Sequence, residues 1–175
     1  MSHTSQNKEA ATASLFSRRI AAPIVWLGGA ISAVLIVVMF AVTIYAIFMR
    51  YAVNKPLLWA DEVTGWALVA IVMLGAAEAY RRGDHISIDL FSSKVSGHGQ
   101  KVVVLISDLA VLVFALIVGT STWEAIHFAR MFGSYTSGSV VIETWVPQVP
   151  LLVGSILLAL MALVRLVEFF LGLRK

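Results

Sequence analysis

Between Ile20 and Met49 the chain carries no charged side chain. A helix of about 20 apolar residues already crosses the ~30 Å hydrocarbon core of a bilayer, and this run is longer than that. Thr144 to Val164 is a second uncharged run, and Val102 to Trp123 is a third, broken only by Asp108. Both are long enough to span. The fourth, Trp59 to Tyr80, is charge-free only in its centre, from Val63 to Ala77. That centre is about 22 Å of helix at ~1.5 Å per residue, so Glu62 and Glu78 fall near the two headgroup regions. Charged residues make up 13% of the chain, against roughly a quarter in soluble domains. An ordinary soluble domain is excluded. The absence of cysteine removes disulfide frameworks, thiolate zinc sites, iron–sulfur clusters and CxxC redox pairs.

The basic residues test the count of spans. Three precede the first span (Lys8, Arg18, Arg19), two lie in the first connection (Arg50, Lys55) and four in the second (Arg81, Arg82, Lys94, Lys101). Arg130 is alone in the third connection, and three follow the last span (Arg165, Arg174, Lys175). Alternate segments therefore hold ten and three, and cytoplasmic loops carry the excess of Lys and Arg. The expectation is an all-α integral membrane protein of four transmembrane helices, about 23–49, 59–81, 102–128 and 145–168, with both termini cytoplasmic. Trp26, Trp59, Trp123 and Trp145 fall near span ends, where amphipathic rings settle. Arg18-Arg19 reads as an inward-facing flank of the first helix rather than the start of a cleaved signal peptide.

Residues 1–17 are polar and expected to be flexible, leaving 18–175 as a single four-helix transmembrane domain. Pro23 suits a first helical turn, and Asn54-Lys55-Pro56 is a turn signal between spans one and two. From His85 to Gly97, Ile88, Phe91 and Val95 recur at helical spacing. This pattern predicts a short amphipathic helix on the cytoplasmic membrane surface between helices 2 and 3.

Asp108 is the one charge well inside a span, and intramembrane carboxylates are costly enough to need a reason. Arg165, at a similar predicted depth on the same side, is its expected partner, and a protonated Asp108 or one bonded to a partner subunit stays open. Glu78 stands three and four residues before Arg81 and Arg82, the spacing of a local ion-pair cluster on a helix. Asp61 and Glu62 open helix 2, where they complement its dipole. Arg50 closes helix 1 on the same side, where an Arg50–Glu62 bridge is within reach, although spacing alone does not derive it. Glu124 and Glu143 are read as hydrated flanks of the last connection.

The sequence offers no nucleophile with a base, no phosphate loop and no metal set, so no catalytic, cofactor or metal residue is assigned and no enzyme is implied. Basic residues form flanks rather than a stripe interleaved with aromatics, so nucleic acid is not implied either. Secondary transporters bind cargo at the midplane with interrupted helices. Here all four prolines (Pro23, Pro56, Pro147, Pro150) sit at or just before helix starts. Gly28, Gly29, Gly75, Gly119 and Gly154 read as packing positions, where small residues let helices approach. Four continuous rods suggest a scaffold that packs against something larger. Two alternatives stay open on the residues alone: a haem- or quinone-associated anchor of a redox complex, and a self-assembling proton-coupled exporter.

The run Arg50-Tyr51-x-x-Asn54-x-Pro56-x-x-Trp59-x-x-Glu62 resembles the helix 1–2 junction of the small permease subunits of tripartite ATP-independent periplasmic (TRAP) transporters, the DctQ-like family. Gly75-Ala76-Ala77, followed by Arg81-x-Gly83-x-His85-Ile86-x-x-Asp89-Leu90, resembles that family's segment at the end of helix 2. Ser139 to Trp145, before Pro147 and Pro150, is similar to its approach to helix 4. Asp61-Glu62 stands where a pair of glutamates is common, and Glu143 and Thr144 interrupt the family's Ile-Pro-x-Trp pattern. The resemblance implies an accessory subunit in the bacterial inner membrane. Its implied partners are a large multi-span permease that carries sodium-coupled uptake, a periplasmic solute-binding protein that captures a solute, often an organic acid, and the surrounding lipids. The small subunit would brace the permease's stationary scaffold without a cofactor. Arg50, Trp59 and Glu62 are then expected to order the outer junction, and His85 and Asp89 the inner surface helix.

Overall fold

The computed structural model describes residues 21–82 and 98–171. The polar start of the chain and the surface helix expected over 85–97, with His85 and Asp89, lie outside the described residues. Four long helices account for most of the rest: α1 (Ala22–Tyr51), α2 (Leu58–Arg82), α3 (His98–Met131) and α4 (Val149–Phe170), the last entered through a 3₁₀ turn at Val146–Gln148. All four are long and apolar enough to cross a membrane.

The helix ends follow local chemistry. Pro23 lies in the first turn of α1 and Pro150 in that of α4, where a missing N–H costs nothing. Both helices that run toward the short connections stop on a left-handed residue. Asn54 (φ 55°) follows α1, and Gly133 (φ 57°) follows α3. Lys55 N–H then donates to Met49 C=O (3.0 Å) and Ser134 N–H to Ala129 C=O (3.0 Å). These closures satisfy carbonyls that the helix end would otherwise orphan. The end of the molecule holding both short connections is called the connection end below, and the opposite one the terminal end.

The helices pack as a row in the order α1, α2, α4, α3 rather than as a closed bundle: α1 packs on α2, α2 on α4 and α4 on α3, while α1 and α3 share no substantial contact. Burial follows from this order. Of the most apolar stretch of α1, 6% is buried, against 44% for α4. The core lies toward the terminal half, where Val25, Leu74, Ala77, Leu157, Leu158, Met161 and Ala162 meet.

Small residues set the spacing of the row. A Cβ at Gly154 would stand 2.7 Å from the backbone carbonyl of Met73, one at Gly75 2.9 Å from Ser32 Oγ, and one at Gly28 3.2 Å from Leu157 Cδ1. Ser32 Oγ donates across to the Ile71 carbonyl (2.8 Å). Such close approach is how helices associate where lipid tails remove the hydrophobic drive.

Gly154 faces backbone and cannot be relieved by a rotamer change. Gly154→Ala is expected to destabilise the protein by about 1–3 kcal/mol, the usual cost of overpacking. Gly65, with nothing within 4 Å of a built Cβ, gives the opposite sign: Gly65→Ala stabilises by about 0.5–1 kcal/mol through helix propensity. Thermal unfolding of the two variants in one detergent checks the contrast.

Candidate functional site

Two polar clusters interrupt the apolar row, one at each end. At the terminal end, Asp108 of α3 is 1% exposed. Tyr80 of α2 donates its hydroxyl to Asp108 Oδ1 at 2.6 Å. Arg165 of α4 brings Nη1 to 3.9 Å from the same oxygen. The Arg165 guanidinium also lies 4.3 Å from the centroid of the Tyr80 ring and donates from Nη2 to the Arg81 carbonyl (3.4 Å). One carboxylate thus joins three helices. Depth along the helices pointed to Arg165. Tyr80 was missed, because nothing in a sequence ties a tyrosine to a carboxylate so far along the chain.

Glu78 lies beside this node and is also buried. It accepts from Arg81 Nε (2.6 Å) and Nη2 (2.7 Å) and from Arg82 Nε (2.7 Å). This is the local cluster expected from the spacing. Spacing did not show why Glu78 is buried. A Cβ at Gly29 would come within 2.6 Å of Glu78 Cγ, so the acidic stem is pressed against the bare backbone of α1. Bidentate Arg–carboxylate geometry makes that burial tolerable.

At the connection end the Arg50–Glu62 bridge is replaced. Arg50 Nη2 reaches Asp61 Oδ2 at 3.4 Å, and both side chains are largely exposed. Successive residues of a helix point about 100° apart, so Asp61 faces α1 while Glu62 faces the last connection. Glu62 accepts the backbone N–H of Ser139 (2.5 Å) and of Val140 (3.1 Å). A Cβ at Gly138 would collide with the Glu62 carboxylate. Glu62 is therefore a latch that holds residues 138–140 onto α2. The loop it holds is itself ordered. Tyr135 and Glu143 form an antiparallel bridge, and Thr136 Oγ1 donates to the Val140 carbonyl (2.6 Å) and accepts from Ile142 N–H (3.0 Å). Glu143, expected to be merely hydrated, accepts the indole N–H of Trp145. Trp59 lies at the start of α2, 40% exposed.

Neither cluster has the make-up of a reaction centre. Among the described residues no group of three His, Asp or Glu is placed to hold a metal. The buried hydroxyls at intermediate depth, Ser32, Thr122 and Ser155, each donate to a backbone carbonyl. The clusters are joints: one ties α2, α3 and α4, and the other ties α2 to the loop between α3 and α4.

Comparison with known proteins adds the lineage. The family model described as "Tripartite ATP-independent periplasmic transporters, DctQ component" matches residues 39–172. The chain is 32% identical over 79 residues to the "Sialic acid TRAP transporter small permease protein SiaQ" of Vibrio cholerae, covering 45% of this chain and 46% of that one. It is 27% identical over 81 residues to the "C4-dicarboxylate TRAP transporter small permease protein DctQ" of the same species, covering 46% and 35% respectively. A 68-residue stretch is 32% identical to part of the "Sialic acid TRAP transporter permease protein SiaT" of Haemophilus influenzae, 39% of this chain but 10% of that one. In each case the match spans less than half of the relative's length.

Two variant sets test the joints. Arg165→Leu, which takes one partner away from a buried carboxylate, is expected to cost about 3–5 kcal/mol of stability. Tyr80→Phe is expected to cost about 1–3 kcal/mol, and the double variant less than the sum, because the two share Asp108. Unfolding midpoints in detergent measure all three. For the latch, Glu62→Gln weakens charge-assisted bonds to two amides. Hydrogen exchange at Ser139 and Val140 is expected to accelerate about tenfold, the rate change of a ~1.4 kcal/mol loss, while exchange in the middle of α4 is unchanged.

Proposed function

The chain belongs to the DctQ family of tripartite ATP-independent periplasmic transporters, and on that premise we propose that it is the small membrane subunit of a sodium-coupled solute uptake system, bracing the stationary scaffold of a large permease. Proteins of this family are transport components and not enzymes, and membership argues against the redox anchor weighed from the sequence. The observation that carries the proposal is the open row. α2 and α4 are covered by neighbours, whereas α1 and α3 present apolar side chains over most of their surface, Phe40, Phe48, Phe114 and Ile117 among them. A slab of this kind has broad faces to offer a partner and no midplane cradle for cargo among its described residues. The helices are unbroken, unlike the interrupted helices that line transporter binding sites.

A further point supports a permease partner. A stretch of SiaT, a much longer chain, is similar to part of this one. A segment of this kind within a permease polypeptide is the arrangement that the two-chain association would replace. The excess of basic residues on alternate segments supports both termini in the cytoplasm, with the Glu62-latched loop on the periplasmic side. That loop is where a periplasmic solute-binding protein would meet this subunit. The Arg50, Trp59 and Glu62 junction then orders the outer face, and Asp108 and Arg165 hold the inner one. The solute is an organic acid in keeping with the sialic acid and C4-dicarboxylate systems of the relatives, and its recognition belongs to the other subunits.

Reconstitution distinguishes a brace from a carrier. Vesicles holding this chain alone are expected to accumulate no organic acid under an inward sodium gradient. Vesicles holding it with its co-purified permease, supplied with the binding protein, are expected to accumulate the acid. Uptake by the chain alone, or undiminished uptake by the permease alone, would overturn the proposal.

A further inference from the structure

A groove of about 320 Å³ runs between α3 and α4. Its floor is made of Ala115, Gly119, Ser155 and Ala159, and a Cβ at Gly119 would come within 3.1 Å of Ser155 Oγ. The two hydroxyls it exposes are already spent: Thr120 donates to the Leu116 carbonyl (2.8 Å) and Ser155 to the Leu152 carbonyl (2.8 Å). Between its ends the lining is otherwise apolar, with Leu116, Leu152 and Ile156 on its walls, and suits an apolar occupant. From Ala115 to Trp123 the groove follows α3 for about 12 Å, most of the ~15 Å of hydrocarbon in one leaflet.

The mouth of the groove has a different chemistry. Trp123, His127 and Arg130 stand at i, i+4 and i+7 on α3 and continue the groove's own stripe toward the connection end. They line a small hollow with Ile126, and Glu124 lines the groove and a second hollow that also includes Trp123 and His127. Among the described residues neither Arg130 nor Glu124 has an ion-pair partner. Arg130 is steadied by the face of Trp145, 5.4 Å from its guanidinium carbon, and that indole is anchored in turn on Glu143. A cation and an anion, each without an internal counterion, therefore flank the end of an apolar channel at headgroup depth.

We propose that this channel is a site for one zwitterionic phospholipid bearing a primary ammonium, with an acyl chain in the α3–α4 groove, its phosphate on Arg130 and His127 and its ammonium on Glu124. The complementarity has three parts: apolar length, an anion-binding side and a cation-binding side. An acidic lipid satisfies the first two and sets its net charge against Glu124. The inference goes beyond the transport reading and does not depend on it.

Native mass spectrometry of the purified full chain tests it, with dioleoyl phosphatidylethanolamine, phosphatidylglycerol and phosphatidylcholine as probes. One phosphatidylethanolamine is expected to stay bound about tenfold more tightly than either of the others, the factor of one charge-assisted contact. Glu124→Gln removes that preference, Arg130→Gln weakens the retention of all three lipids alike, Gly119→Leu abolishes the adduct, and Arg50→Gln, across the row, changes nothing. Equal retention of the three lipids, or a preference that survives Glu124→Gln, would overturn the site even if the groove variant fails to fold. In native membranes, high-yield cross-linking of the Thr120→Cys variant to a permease helix would also overturn it, while leaving the proposed brace intact.

Discussion

The hydrocarbon core of a membrane offers no partner for a hydrogen bond, and this constraint governs every element of the structure. Each backbone N–H and C=O inside it must be met within the chain, so the four apolar runs become unbroken helices. It also decides where irregular backbone can occur. The turns at Asn54 and Gly133 and the loop held by Glu62 all lie at the connection end, beyond the apolar runs. The constraint reaches side chains as well. Thr43, Thr120 and Thr122 each return their hydroxyl to a carbonyl four residues back, a bond available to any helix without help from a neighbour.

A charge cannot be settled that way, and the two buried carboxylates show two solutions. Glu78 is neutralised within its own helix by Arg81 and Arg82 and needs α1 only for a bare stretch of backbone at Gly29. Asp108 has to recruit across helices, taking a hydroxyl from α2 and a guanidinium from α4. Its pairing therefore does what apolar contact between helices does poorly in lipid, which is to specify which helices are neighbours. The row order α1, α2, α4, α3 puts α4 between α2 and α3, and the Tyr80–Asp108–Arg165 node is the polar expression of that order.

How far the sequence disclosed this depends on the range of the interaction. Spans were legible because they rest on composition alone, and the weak second one was rescued by the alternation of Lys and Arg. The Glu78 cluster was legible because three- and four-residue spacings are fixed by the helix. Asp108 and Arg165 could be paired by depth, since rise per residue turns sequence position into height. Tyr80 could not, because height does not give rotation. At Asp61 and Glu62 the missing quantity was again an angle. Both residues share a height near Arg50, and only their bearing around α2 sends one to α1 and the other to the loop amides. Backbone partners such as Ser139 and Val140 leave no trace in side-chain pattern at all.

The open row finally decides how the cost of folding is shared among the helices. A closed bundle buries its best surfaces internally, whereas a row spends only its two inner helices on folding and leaves the outer two uncovered. α4, packed on both sides, has Gly154, Ser155, Met161, Ala162 and Arg165 buried along it, whereas α1 packs closely on one side only and buries Val25, Gly28 and Ser32 there. The polar joints sit at the ends, so they fix the helices against one another without placing any charge at mid-depth. A row joined by polar clusters near its two ends keeps long apolar helix faces between them.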